Sequence, residues 1–225
     1  MKYYLSLLFT ATIMFLTSCG ETDPPEVTAV KETWENVKKA TLEKDGALAA
    51  ENFSVEMIGY YGELRDQALT ADREALLQMP VMRRLAVLGM RLRLSTEELE
   101  AMSGKDLFVR ALEEGWIKFH LQGDGLAELK VNDGHITALT TMGGKPTTLR
   151  VHFLEEDGEW RFDYTPNMAA AAGMLEQMGR SSELSEEEFA AQMIKNSTKL
   201  DLKESDWNPP AKASGDQPDE EEETS

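Results

Sequence analysis

The chain predicts an α+β fold, with N-terminal helices packed on a curved antiparallel sheet and extra helices at the C-terminal side. Three observations carry this. Apolar residues recur at helical spacing from Val27 to Leu112, the period falls to two at Gly115 and stays there to Tyr164, and short glycine turns separate the alternating runs. After Pro166 the helical spacing returns.

Each element follows in order. Val30, Trp34, Val37 and Leu42 share one face of a helix over 27–44, with Lys31, Glu32, Glu35, Lys38 and Lys39 opposite, and Asp45-Gly46 ends it. Phe53-Ser54 leads into a helix through Met57, Ile58, Tyr61 and Leu64. Thr70 reads as the cap of a short helix ending near Met79, and Pro80 suits the first turn of the next, which runs to about Leu94. Ser95 with Glu98 and Ser103 with Asp106 have capping-box spacing, the second ahead of a helix over 107–112.

Past Gly115, Ile117, Phe119 and Leu121 alternate with Trp116, Lys118 and His120, and Ala127, Leu129 and Val131 alternate with Glu128 and Lys130. Asn132-Asp133-Gly134 is a hairpin signal before a strand over 135–142. Gly143-Gly144-Lys145-Pro146 turns the chain into a strand over 147–154, and Glu156-Asp157-Gly158 turns it into one over 159–164, which Pro166 stops. The result is a meander of four or five strands. Two helices follow, over about 168–178 and 185–195.

Of the 225 residues 41% are hydrophobic, enough for a sizeable core. The net charge of -18 excludes nonspecific nucleic-acid binding, which needs basic side chains on phosphates. Asp216, Asp219 and Glu220 to Glu223 have no basic residue among them, so residues 201–225 read as an acidic, disordered tail. Three scattered histidines offer no transition-metal site, and no phosphate loop or nucleophile elbow occurs, so no metal, cofactor or catalytic residue is assigned. Glu186-Glu187-Glu188 follows Ser185 at a helix start, where carboxylates favour the helix dipole.

At the other end, Lys2 precedes a mainly apolar run from Leu5 to Leu16, too short to span a bilayer as a helix. Leu16-Thr17-Ser18-Cys19 closes it, and this resembles the lipobox of bacterial lipoprotein precursors. The resemblance implies a signal peptide over 1–18, diacylglycerol on the Cys19 thiol, and acylation of the new amino terminus. Several acyl chains would hold the protein permanently at a membrane. Residues 19–26 then form the lipidated cysteine and tether, with Pro24 and Pro25 stiffening it. The implied location is the periplasmic side of the cell envelope; Gly20, where an inner-membrane retention signal would place aspartate, slightly favours the outer membrane. Cys19 is the sole cysteine, so a lipidated chain has neither disulfide nor thiolate nucleophile.

Several helices, then antiparallel strands ending in Asp157-Gly158-Glu159-Trp160-Arg161-Phe162-Asp163, resemble the nuclear transport factor 2-like superfamily, which includes ketosteroid isomerase and the SnoaL-like cyclases. That implies a cone-like domain over 27–165 with a helical insertion over about 70–102, and a C-terminal helical extension over 166–200. The implied pocket draws on Tyr60, Tyr61, Phe119, Leu129, Val151, Phe153, Trp160, Phe162 and Tyr164. Enzymes of the superfamily keep an acid or base inside the cone. Here strand alternation sets His120 beside Lys118, His152 beside Arg150, and Asp163 beside Arg161, all facing outward, while His135 borders a turn. With Trp116, the outward residues Lys118, His120, Arg150, His152 and Arg161 form a surface for an envelope protein partner or a homodimer.

Between Pro80 and Leu94 stand four arginines and no acids. Val81, Leu85, Leu88 and Leu92 form an apolar stripe, Arg83, Arg84 and Arg91 lie opposite, and Arg93 sits at one edge. Arg83, Arg84 and Arg91 are candidates for contact with anionic headgroups or an acidic partner; the structural alternative pairs them with nearby glutamates. The functional expectation is a noncatalytic, membrane-anchored envelope lipoprotein that binds a small apolar ligand or a partner protein. The alternative is an acid–base enzyme of isomerase or dehydratase type acting on a hydrophobic substrate.

Overall fold

A computed structural model of the protein describes residues 23–119 and 121–210. The lipobox with Cys19, His120 and the acidic run from Asp216 lie outside the described residues. The fold is α+β, as the sequence predicts.

Helix α1 spans Pro25–Glu43 and buries Val30, Trp34, Val37 and Ala40. Leu42, expected on that stripe, is 86% exposed, because five residues past Val37 turn it about 140° away. Asp45 does more than end α1. Its side chain accepts from the Leu48 backbone N–H at 2.9 Å and caps α2, Gly46–Asn52, a helix the sequence reading missed. Ser54 caps α3, Val55–Thr70, which overruns the cap expected at Thr70. The Thr70 hydroxyl donates back to the Asp66 carbonyl instead, and Asp72 caps α4, Arg73–Gln78. Pro80 precedes α5, Val81–Arg91. Both capping boxes form as expected, opening α6, Thr96–Ala101, and α7, Gly104–Glu113. Helices α3 and α7 touch through glycines: a Cβ on Gly104 would stand 2.7 Å from the Gly62 nitrogen.

Among the described residues of 116–121 no strand forms. The N–H of Gly115, at φ +72°, binds the Leu112 carbonyl and that of Trp116 binds the Ala111 carbonyl, the paired bonds of a Schellman cap that closes α7. Those donors are spent on the helix, and Phe119 drops into the core without pairing to a strand.

The sheet is a four-stranded antiparallel meander in the order β1 (Gly125–Asn132), β2 (His135–Met142), β3 (Lys145–Glu156), β4 (Glu159–Asp163). Its pairing breaks register between Ala127 and Lys130, where Glu128 has φ +51°. Ala127 therefore pairs with Leu139 on the outer face while Val131 pairs with Ile136 on the core face, against the expectation that Ala127, Leu129 and Val131 share one side. The exposed edge of β4 is partly covered: the Ser54 N–H donates to the Phe162 carbonyl and the Thr33 hydroxyl to the Trp160 carbonyl.

Ile136, Ala138, Val151, Phe153 and Phe162 are buried on the core face under the α1–α3 layer. Two further helices follow β4: α8, Thr165–Ser181, and α9, Glu186–Thr198, both longer than expected. The chain then makes a short 3-10 turn, Glu204–Trp207, that buries Trp207 against α5. The segment 201–207, expected as part of the solvated tail, is thus docked.

Candidate ligand-binding groove

A groove of about 870 Å³ lies among α3, α5, the segment leaving α7, and helices α8 and α9. Met57, Tyr61, Leu64, Met90, Phe119 and Ile194 line it, and α8 contributes Met168 and Ala171. A shallower recess of about 460 Å³ lies beside it, between Tyr60, Met82 and Arg83 on one side and Met168 on the other. The size and the mainly apolar wall fall within the usual range for small-ligand sites. Five methionines, Met57, Met82, Met90, Met168 and Met193, give that wall an adaptable surface.

Of the residues expected to form the pocket, Tyr60, Tyr61, Phe119 and Tyr164 line this groove, whereas Leu129, Val151, Phe153, Trp160 and Phe162 do not. The reason is packing. The space between helices and sheet is filled by aromatic rings: Phe53 lies 5.2 Å from Phe162 and 5.2 Å from Phe108, and Phe153 lies 5.6 Å from Phe162. The opening lies instead on the flank of the helical layer, where the insertion and the C-terminal helices meet. Met90, Arg93, Met193 and Ile194 are lining residues that the sequence reading missed. The apolar stripe of α5 was legible; that α9 would lie beside it was not.

Chemically, the groove offers binding groups. Burial raises the Tyr61 phenol well above its ordinary value, with Tyr60 adding to the shift. Burial also raises Tyr60, against the pull of Arg83, whose guanidinium stacks 5.0 Å from its ring. Both phenols stay protonated at neutral pH. Glu114 lies at the rim with its carboxylate bound to Arg110 at 2.8 Å. Trp116, expected on the outer sheet surface, stands at the groove between the guanidiniums of Arg93 (5.4 Å) and Arg110 (5.8 Å). Lys118 also lines the groove.

The arginines of α5 take the structural alternative, pairing with nearby groups rather than forming a free basic face. Arg84 is buried and donates to the carbonyls of Leu76, Leu77 and Met79 and to Glu186. Arg91 donates to the carbonyls of Gln67, Ala68, Ala71 and Asp206, and burial lowers its pKa. Arg83 pairs with Glu63 at 2.9 Å. The helix packs on both sides, and its cations serve the backbone ends around it. Glu186 and Glu187, read as dipole-favouring residues, also bind Arg84 and Arg73.

On the outer sheet face His135 and His152 stack at 5.7 Å. Desolvation, then the neighbouring His135, lowers the His152 pKa, opposed by Asp163. Asp163 lies opposite the core face, as alternation predicts, yet it is buried, and its carboxylate accepts from the Thr165 N–H at the start of α8. Among the described residues no cluster of His, Cys, Asp or Glu could hold a metal ion, and no helix is long and apolar enough to cross a membrane.

No family model, curated protein or solved structure matches the chain. The groove's chemistry must therefore be read from its own walls.

Proposed function

We propose that this protein is a noncatalytic lipoprotein of the bacterial envelope, held at the membrane through lipidated Cys19, that carries a small apolar ligand in the groove beneath α8. The observation that carries the binding half is the groove itself: about 870 Å³ of mainly apolar wall, lined with methionines, on a protein whose sheet-facing core is filled. The lipobox carries the anchoring half. In this reading the fold is an elaborated nuclear transport factor 2-like domain whose binding site has moved from the cone to the helical flank.

The acid–base enzyme reading gains little from the groove, because its phenols are held protonated and Glu114 is tied to Arg110. A partner-protein reading draws on a separate observation. Met174, 70% exposed, and Met178 stand one turn apart on α8, and Leu184 is exposed in the segment that follows it, apolar side chains that a partner could cover.

Native mass spectrometry of the protein extracted from its own envelope tests these readings together. A retained small molecule, beside an acylated amino-terminal cysteine, supports the proposal. A mass with an unmodified Cys19 defeats the anchor. A bare chain that also fails to take up an acyl probe defeats the carrier role, and a retained protein subunit favours the partner reading.

A further inference from the structure

The groove contains one cation whose position its apolar walls do not explain. Arg93 lies just past the end of α5 with its guanidinium over the Trp116 ring. The one hydrogen bond of its side chain among the described residues is from Nη1 to the Gly89 carbonyl, at 2.7 Å. No carboxylate lies within ion-pair distance of it among the described residues, although the chain has a net charge of -18. The acid that acts on it electrostatically, Glu114, is already bound by Arg110.

The other arginines differ. Arg65, Arg73, Arg83, Arg84, Arg110 and Arg161 each pair with a carboxylate, and Arg91 is surrounded by four carbonyls. Arg150 and Arg180, also without a carboxylate partner, are exposed to water. Arg93 is half-buried, and desolvation lowers its pKa, so its charge is partly stripped of water without an anion to replace it. Space has been kept for it: a Cβ on Gly89 would stand 2.9 Å from its Nη1. Lys118 adds a second positive charge to the same groove.

We infer that the groove's ligand is an amphiphile with a single anionic head, of the fatty-acid type, its head bound by Arg93 and its chain lying along Met57, Tyr61, Leu64 and Met90. This rests on the carrier reading above and adds the chemistry of the head. A guanidinium offers two parallel N–H donors to a carboxylate, and a bond to a charged partner in a partly dry site is stronger than one between neutral groups. Trp116 fixes the plane of the guanidinium, so the donor fork is oriented before the ligand arrives.

Two probes on the full chain separate the head from the tail: palmitate and its methyl ester, each read by tryptophan fluorescence, to which Trp116 reports from the groove wall. The wild type should bind palmitate about tenfold more tightly than the ester. Arg93→Gln should remove that preference while leaving ester binding in place, and Arg93→Lys should restore part of it. Equal binding of the two probes by the wild type overturns the inference and leaves the groove standing. Binding of neither defeats the carrier reading and the inference with it. The wild-type comparison decides the matter even if Arg93→Gln fails to fold. A preference that survives in a folded Arg93→Gln also overturns the inference, because the head would then be bound elsewhere.

Discussion

Arg84 can distinguish a structural arginine from a surface one. Its side chain is 3% exposed, and the guanidinium meets the carbonyls of Leu76 (2.9 Å), Leu77 (2.8 Å) and Met79 (3.1 Å) where α4 ends and the chain turns into α5. The Leu76 carbonyl also accepts from the Met79 N–H, whereas those of Leu77 and Met79 have no backbone donor from a following turn. Replacing Arg84 by Met keeps the stem and removes the donors, which leaves acceptors short of partners at about 1 kcal/mol or more each. With two carbonyls left without a donor the expected loss is about 2 kcal/mol, reduced somewhat because Nη1 already lacks a partner and the variant relieves it. The ion pair contributes much less: Glu186 is 66% exposed, so Glu186→Gln should cost under about 1 kcal/mol. Urea denaturation followed by circular dichroism measures both. Equal losses in the two variants, or a loss below about 1 kcal/mol for Arg84→Met, would refute the assignment of this side chain to the backbone.

Three further outcomes are expected. Gly104→Ala should destabilise by about 2 kcal/mol or more in the same denaturation, because the new methyl would meet Gly62 backbone at 2.7 and 2.9 Å, atoms that cannot rotate away. Asp124 accepts from the Thr141 hydroxyl and the Gly143 N–H, which hold its carboxyl below the ordinary aspartate range. A depressed folded pKa means that its stabilisation is present above the unfolded value of about 4 and is lost as pH falls through the folded one; the gap between wild type and Asp124→Asn in a pH series should therefore close below about pH 4. Helix α8 has no buried residue, so its amides should exchange with deuterium much faster than those of α3, and slow exchange equal to that of α3 would show it to be part of the cooperative core.

What the sequence revealed was whatever is written locally. The two capping boxes, the hairpin at Asp133-Gly134 and strand β2 follow from residues a few positions apart, and the structure has them where the spacing predicts. The errors occurred where a local signal was overruled by a partner far along the chain. The alternation after Gly115 is genuine, but the Schellman cap uses two of its donors and no neighbouring strand is available. Ala127, Leu129 and Val131 alternate cleanly, yet one left-handed residue at Glu128 reverses the faces. The arginines of α5 read either as a basic face or as partners of nearby glutamates, and the packing of α4 and α9 gives the second. The candidate site was only half legible for the same reason: Tyr60, Tyr61, Phe119 and Tyr164 were expected, but the wall opposite them comes from α5 and α9, whose meeting no spacing encodes.

That division of labour bears on function. Between the sheet and the helices Trp34, Phe53, Phe108, Phe153 and Phe162 pack ring against ring, so the space there is filled. The groove arises where α5, α8 and α9 meet that core: α5 and α9 bury Val87, Leu88, Met90, Ala190 and Ile194 in it, whereas α8 buries no residue. Glu176 of α8 accepts from the Val81 N–H at 2.8 Å, and Arg73 and Arg84 bind Glu187 and Glu186 at the start of α9. For α8, the carboxylate tie through Glu176 holds the helix in place without fusing it into the core, and such a tie contributes little on its own. A groove whose outer wall is a helix with no buried residue, tied on by side-chain carboxylates, can widen for a ligand at small cost while the aromatic core stays shut. Helix α8 is thus both the wall of the site and its way in, and substitution of Glu176 should change ligand exchange before it changes the fold.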